Sequence, residues 1–268
     1  MLFLTEISAM PDEHTDAAAR LVRWDVLLII IFNMQIPLAG YFSDLFELFY
    51  PNVCLACSEK LLKGEAVLCY ACRRELPRSE YWNDAENPMA KRFWGRVDLQ
   101  GAAALFKFQK DGEVQQLLHQ LKYYGRQDAG EMIGKMLGAL MLQPGSVIKD
   151  VDIIVPVPLH WKRLRSRGFN QCDPIAKGIS ETIHVPWSGS ALERVQENIS
   201  QTGKNRFDRW YNVAEIFAVK DAEQLRNKHV LLVDDVMTTG ATAEACLQKI
   251  AAVEGTRVSF VTAAVVTG

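Results

Sequence analysis

The sequence has almost no net charge, and this absence limits what the protein can bind. Its 268 residues include 30 Lys and Arg against 32 Asp and Glu, which leaves a formal net charge of −2. The field of the whole molecule therefore does not recruit nucleic acid, and such binding would need a local basic patch. With 49% hydrophobic and 23% charged residues, the composition is typical of a soluble protein of one or two domains.

Long apolar runs are also lacking. The one membrane-like stretch, residues 26–32, is much shorter than the roughly 20 apolar residues of a spanning helix. Residues 1–16 are acidic or mixed and do not resemble a secretory signal. We therefore expect a cytoplasmic protein without stable membrane insertion. Because Met34 offers a second start, we expect residues 1–40 to be an extension that is disordered or not translated.

Repeats, low-complexity tracts and the two common nucleotide loops, G-x-x-x-x-G-K-[ST] and G-x-G-x-x-G, are absent. From residue 151 onwards, short apolar runs alternate with helical patterns. Wholly apolar strands in this alternation indicate an α/β fold with a parallel sheet covered on both faces. We expect four regions: the extension 1–40, a helix (apolar spacing at 42–49) with a cysteine module in 41–90, a strand-helix connecting region packed on the core in 91–150, and the parallel-sheet domain 151–268.

The most informative segment is residues 230–242. A buried strand ends in Asp234 and Asp235, and a turn rich in hydroxyl groups then leads into a helix. Ligands of open α/β sheets bind at this end of the strands. The helix start supplies free N–H groups and the positive end of the helix dipole, and Thr238, Thr239 and Thr242 add hydroxyl donors. This combination predicts a phosphate site.

Two neighbouring carboxylates beside an anion site need hydroxyl groups or a cation as partners. A ribose diol with Mg²⁺ supplies both. The alternative is that Asp and Thr merely cap a helix, but capping explains only the last few residues of the segment.

This order of residues resembles the type I phosphoribosyltransferases, whose signature is a hydrophobic strand, two acidic residues and a Thr/Gly-rich loop. The resemblance implies that the ligand is 5-phosphoribosyl-1-pyrophosphate (PRPP) with Mg²⁺, and that Asp234 and Asp235 hold the ribose hydroxyls. The residues implied to hold the 5-phosphate and its surroundings are Met237, Thr238, Thr239, Gly240, Ala241 and Thr242.

A basic run follows a second predicted strand. Prolines at alternate positions in residues 155–160 fix a turn at the strand end, where Val157 and Pro158 would lie beside the ligand. The basic residues then follow, namely Lys162, Arg163, Arg165 and Arg167. Such a run is often only a solvated surface face. Next to a PRPP site it predicts donors for the pyrophosphate, with Arg163 and Arg167 as catalytic candidates.

A polar segment, residues 194–217, is long enough to fold over a ligand, although it could equally be an exposed linker. It carries the ligand-binding candidates Arg194, Lys204 and Arg206.

Four cysteines form two C-x-x-C pairs, at Cys54 and Cys57 and at Cys69 and Cys72. This spacing predicts a structural Zn²⁺ site with four thiolate ligands. A redox pair or buried free thiols are the alternatives. The two remaining cysteines, Cys172 and Cys246, are expected to pack as small apolar groups.

Taken together, these motifs resemble the ComF family over about residues 41–266. The motifs are Pro-Val-Pro, Arg-Gly-Phe-Asn-Gln, the Asp-Asp loop, the four-cysteine module and a Leu-His-Gln-Leu-Lys-Tyr helix. One departure is Asn198, between Arg194 and Gln201, where the family usually has Thr. The resemblance implies a competence-associated protein that binds PRPP or transfers its phosphoribosyl group. The alternative is a non-catalytic DNA-uptake protein that binds single-stranded DNA or partner proteins and senses PRPP.

Overall fold

The computed structural model describes residues 51–195 and 216–267. The apolar run 26–32, the helix predicted around residues 42–49, and Lys204 and Arg206 of the polar segment lie outside the described residues.

Six strands and seven α-helices make up the described part of the chain. The strands are β1 (Leu99–Phe108), β2 (Ile153–Pro156), β3 (Leu192–Arg194), β4 (Phe217–Val219), β5 (His229–Met237) and β6 (Arg257–Val266). The helices are α1 (Tyr70–Glu75), α2 (Pro88–Lys91), α3 (Glu113–Tyr123), α4 (Gln127–Met141), α5 (Trp161–Arg167), α6 (Cys172–Ile183) and α7 (Ala241–Ala251).

The main sheet has four strands in the order β1-β6-β5-β2, and every neighbouring pair is parallel. The predicted α/β fold with a parallel sheet is therefore confirmed. Strand β1, which lies in the connecting region upstream of residue 151, pairs with β6 along most of its length. A separate antiparallel pair joins β3 to β4.

Helices cover both faces of the sheet, and the side chains of β5 alternate between them. Val230 and Leu232 belong to the apolar cluster that includes α7 and β4, whereas Leu231 and Val233 belong to the cluster that includes α4 and α6. All four side chains are fully buried. Burial of a Val or Leu side chain contributes about 1.5–3 kcal/mol, which explains why residues 230–233 of the strand are all apolar.

Helices α4 and α6 touch through glycines. A Cβ atom on Gly134 would lie 2.1 Å from the carbonyl oxygen of Ile175, and one on Gly178 would lie 2.2 Å from that of Glu131. Any larger residue at either position would push the helices apart. This close contact fixes α6, whose first residue, Cys172, reaches the acidic end of β5.

In residues 51–195 and 216–267, none of the helices combines the length and the apolar composition that a membrane span requires.

Candidate functional site

Asp234 and Asp235 lie in β5 near the carboxyl edge of the main sheet, three and two residues before the strand ends at Met237. The Asp235 N–H donates to Asp234 Oδ1 at 2.8 Å, and the Cys172 thiol lies 3.7 Å from the same oxygen. Burial raises the pKa of Asp234 to about 7, and the neighbouring charge of Asp235 adds to this rise. The acidic pair is therefore short of positive charge in the free protein.

Lys122, in the last turn of α3, supplies a cation to this pair. Its Nζ lies 2.9 Å from Asp235 Oδ2, and the two side chains are 23% and 16% exposed. Lys122 belongs to the Leu-His-Gln-Leu-Lys-Tyr motif, but the motif alone assigns it no role. Only the packing of α3 against the sheet brings its amine to the acidic pair.

The turn after β5 leads directly into the start of α7. Gly240 has φ +88° and is the residue before the first turn of α7, a conformation that favours glycine. Thr238, Thr239 and Thr242 are exposed at this helix start. Met237 is 2% exposed, so only its backbone could meet a ligand.

The segment around α2 contacts this turn through two arginines. Arg92 donates hydrogen bonds to the carbonyl oxygen of Thr238 and, at 2.9 Å, to that of Val266. Arg96 forms a 2.9 Å ion pair with the buried Glu244 in the first turn of α7. No local sequence pattern predicts these contacts, because the Arg residues and the turn are far apart along the chain.

The turn after β2 reaches the same edge of the sheet. The N–H of Val157 donates to the carbonyl oxygen of Val233 at 2.8 Å, and Asn170 Nδ2 donates to the Val157 carbonyl at 3.1 Å. Val157 is buried and Pro158 is partly buried. The two strand ends therefore meet, as the parallel sheet predicted.

Basic side chains of α5 line a cavity beside the acidic pair. Lys122, Arg163 and Arg167 share its lining with Tyr123, Gly125 and Ser166, and its volume is about 530 Å³. Arg165 is exposed on the same helix but does not line the cavity. A cavity with this lining suits an anion.

Of two further polar residues, only Arg194 is predicted from the sequence to bind the ligand. Arg194 ends β3, and burial together with the neighbouring Arg163 guanidinium lowers its pKa. Gln171 directly precedes Cys172 and is 1% exposed, and within the described residues its Nε2 has no hydrogen-bond partner. An unsatisfied buried donor costs free energy, so a ligand oxygen at this nitrogen would be stabilising.

The cysteine module brings its four sulfur atoms together. The Sγ atoms of Cys54, Cys57, Cys69 and Cys72 all lie within 4.8 Å of one another. Cys57 and Cys69 are 3.7 Å apart, far longer than a disulfide and close to the roughly 3.8 Å between sulfurs around a tetrahedral Zn²⁺ with bonds of about 2.3 Å. These residues therefore fit a zinc ion.

The environment of the thiols differs within the module. Burial raises the pKa values of Cys57 and Cys72. Burial acts in the same direction on Cys54, but hydrogen bonds from backbone N–H groups outweigh it and lower its pKa to about 7. The apolar residues Leu55 and Leu68 of the module belong to the same buried cluster as Phe106 of β1.

A family model described as a phosphoribosyl transferase domain matches residues 170–266. The DNA utilization protein YhgH of Escherichia coli is 31% identical over 128 residues, which are 47% of this chain and 56% of that protein. Competence protein F of Haemophilus influenzae is 31% identical over 51% of this chain and 55% of its own length. Competence protein ComFC of Bacillus subtilis is 28% identical over 71% of this chain and 74% of its own length.

The chain thus spans little more than half the length of the first two relatives. Among solved structures, glutamine PRPP amidotransferase of Bacillus subtilis aligns with a TM-score of 0.38 at 18% identity, over 54% of this chain and 30% of that one. Because this TM-score is low, the fold assignment rests on the observed sheet and on the family model. The described residues thus form a phosphoribosyltransferase-type fold, and the chain is similar to the competence proteins F and ComFC and to the DNA utilization protein YhgH.

Proposed function

We propose that the chain binds PRPP with Mg²⁺ at the carboxyl edge of its main sheet. One observation carries this proposal: an acidic pair, a turn at a helix start and a cavity lined by cations meet at that edge. The acidic pair suits a ribose diol, the turn suits a phosphate monoester, and the cavity suits a second anion. PRPP carries these three groups in one molecule.

Each group of the ligand has its own partners in this proposal. Asp234 and Asp235 accept hydrogen bonds from the ribose hydroxyls. The hydroxyls of Thr238, Thr239 and Thr242 and the N–H groups of the helix start donate to the 5-phosphate. Arg163 and Arg167 donate to the pyrophosphate.

The acidic pair also fits Mg²⁺, because carboxylate oxygens are ligands of this hard cation. The raised pKa of Asp234 supports this fit, since burial and the neighbouring charge of Asp235 make two ionised carboxylates costly there without a cation. Bound Mg²⁺ would neutralise charge on the pyrophosphate oxygens. In a transfer reaction, the bond from ribose C1 to the pyrophosphate oxygen breaks with its electron pair on that oxygen, and Arg163 and Arg167 stabilise the charge that develops there.

A double substitution in α5 tests the proposal. Changing Arg163 and Arg167 to Ala should weaken PRPP binding by about tenfold or more, since each charge-assisted hydrogen bond contributes roughly 1.5–3 kcal/mol. Ribose 5-phosphate, which lacks the pyrophosphate, should bind the variant almost as it binds the wild type. Titration calorimetry of both ligands with Mg²⁺ measures the two affinities.

Arg165→Ala is the matched control, because Arg165 lies on the same helix but does not line the cavity. It should leave both affinities nearly unchanged. If the double substitution weakened the binding of both ligands equally, the basic run would act only through its general positive charge and not through contacts with the pyrophosphate. If the wild-type protein binds neither ligand, the proposed function is wrong.

A second candidate function, binding of single-stranded DNA, is supported by an exposed surface that we call the aromatic face. It consists of Tyr123 and Tyr124 at the end of α3 and Trp161 at the start of α5, which are 62%, 66% and 58% exposed. Arg167 lies 5.1 Å from the ring centre of Tyr123, and Lys162 lies 5.6 Å from that of Trp161. Exposed rings interleaved with cations are the arrangement on which unpaired bases stack.

The cysteine module is less suited to binding single-stranded DNA than the aromatic face. Its Glu65 accepts hydrogen bonds from the N–H groups of Leu62 and Tyr70, and its Arg74 pairs with Glu75 at 3.1 Å. Part of its charge is therefore already matched within the module. We place the DNA candidate on the aromatic face instead.

Trp161→Ala should weaken binding of a fluorescent oligothymidylate by about five- to a hundredfold, because stacking contributes about 1–3 kcal/mol per base. Trp161→Phe, which keeps a ring, should lose much less. The matched control is Trp94→Ala, since Trp94 is also exposed and also has a Lys, Lys91, 5.5 Å from its ring centre. Fluorescence anisotropy measures the affinities, and an equal loss in Trp94→Ala would refute the assignment to the aromatic face.

A further inference from the structure

Lys122 stands between the two halves of the proposed site. On one side its Nζ is 2.9 Å from Asp235 Oδ2, and on the other side the residue lines the cavity that Arg163 and Arg167 also line. It comes from α3, an element that contributes to neither the Asp-Asp loop nor the basic run. One amine therefore borders both the acidic pair and the cavity for an anion.

In the free protein, the ammonium group of Lys122 stabilises the two ionised carboxylates of the acidic pair. Asp234 and Asp235 are adjacent and partly buried, and repulsion and burial already raise the pKa of Asp234. Within the described residues, Lys122 is the cation within ion-pair distance of either carboxylate. Without it, two neighbouring carboxylates would face each other in a site where water screens them poorly.

A bound ligand would replace Lys122 as the partner of the acidic pair. When ribose hydroxyls and a divalent cation bind the carboxylates, they compensate the negative charge, and the ion pair with Lys122 is no longer required. The pyrophosphate, which is attached to the carbon next to the ribose diol, then lies within the cavity on the other side of Lys122. Lys is suited to such a change because its ammonium group is a compact charge on a flexible stem with three donors.

Building on the PRPP site proposed above, we propose that Lys122 exchanges partners on binding: it pairs with Asp235 in the free protein and with the pyrophosphate in the complex. Lys122 is thereby a specificity-determining residue for ligands that carry a pyrophosphate on ribose C1. Ribose 5-phosphate displaces the amine from Asp235 but offers it no new anion.

The exchange predicts effects of opposite sign on the two ligands. Lys122→Met keeps the aliphatic stem but removes the charge, so PRPP should bind at least about tenfold more weakly. Ribose 5-phosphate should bind at least as tightly as it does to the wild type, because no ion pair has to be broken. Lys122→Arg, which keeps a cation, should retain PRPP binding within about threefold of the wild type, well inside the loss expected for a missing charged hydrogen bond.

The matched control is Lys135→Met. Lys135 lies on α4 and forms a similar ion pair, 3.0 Å from Glu181, away from the site. This variant should leave both affinities unchanged. Equal weakening of PRPP and ribose 5-phosphate by Lys122→Met would mean that Lys122 only stabilises the site, and the partner exchange would then be wrong.

A second measurement uses the wild-type protein and does not depend on how a variant folds. The rate at which an N-hydroxysuccinimide ester acetylates Lys122, followed by peptide mass spectrometry, reports the exposure of its amine. Ribose 5-phosphate with Mg²⁺ should raise this rate and PRPP with Mg²⁺ should lower it, each relative to the free protein. The same change with both ligands would overturn the inference while leaving the PRPP site intact, whereas absence of binding by the wild type would overturn both proposals.

Discussion

Replacing Asp234 and Asp235 together with Asn should abolish the rise in melting temperature that PRPP and Mg²⁺ produce in the wild-type protein. A ligand at a hundred times its Kd stabilises the folded state by about 2.7 kcal/mol. For a protein of this size that corresponds to a rise of roughly 5–11 °C. The Asn amides cannot bind the cation as carboxylates do, so the double variant should show almost none of this rise.

The melting temperature of the free protein should change much less. The substitution removes the repulsion and burial that raise the pKa of Asp234, but it also takes from Lys122 its partner at 2.9 Å. These two effects oppose each other. A differential scanning fluorimetry series with and without PRPP separates the effect on the ligand from the effect on the fold.

The control for charge is Glu223→Gln with Glu254→Gln. It removes the same two negative charges from side chains that are 74% and 82% exposed and that pair with Arg226 instead. The rise with PRPP should persist in this variant. A rise of wild-type size in the Asp-to-Asn variant would place the ligand elsewhere on the protein.

Cys57→Ser should remove the metal and unfold the zinc module. Structural Zn²⁺ binds small zinc peptides with an apparent free energy of about 10–16 kcal/mol, which exceeds the whole stability of many domains. We expect elemental analysis to find about one zinc per wild-type chain, by the four-thiolate ligand count, and well below one in the variant. Hydrogen exchange should accelerate throughout residues 52–76.

Loss of the module should also destabilise the elements that pack against it, but not those on the other face of the sheet. Leu55 and Leu68 of the module share a buried cluster with Phe106 of β1 and Leu117 of α3, so exchange should accelerate moderately in β1 and α3. Val230 and Leu232 of β5 face the other cluster and should stay better protected.

Cys246→Ser makes the same chemical change at a fully buried cysteine outside the module. It should lower the melting temperature but leave the zinc content unchanged. Zinc at full occupancy in Cys57→Ser would show that this thiol is not a ligand.

The parts of the site that could be predicted from the sequence are the local ones. A wholly apolar strand, two acids and a Thr/Gly turn are contiguous in residues 230–242, so strand, turn and helix start follow from one segment. The four cysteines are likewise recognisable from their spacing alone. For both, the chemistry and the geometry are encoded within a short stretch of chain.

The contacts that could not be predicted from the sequence join segments that are far apart along the chain. Arg92 reaches the carbonyl oxygen of Thr238, and Lys122 reaches Asp235. Lys122 is on α3 and Arg92 directly follows α2, and the role of each depends on how its helix packs against the sheet. Periodicity identifies such a helix but does not say which strand end lies beneath it.

The predicted boundary at residue 150 also separates segments that are far apart in the sequence but in contact in the structure. The change of pattern at residue 151 is real in the sequence, but β1, upstream of it, is hydrogen-bonded to β6. We therefore propose that residues 91–150 and 151–268 form one folding unit, joined through the sheet.

The strand order β1-β6-β5-β2 also bears on how the protein is made. Strand β6 follows all the other strands in the chain, yet it occupies an interior position between β1 and β5. During synthesis, β1 emerges early but has no neighbour in the main sheet until residues 257–266 have left the ribosome. The edge of β1 that pairs with β6 has no partner strand for that interval, so the sheet closes late and the nascent chain is most prone to aggregate just before β6 pairs.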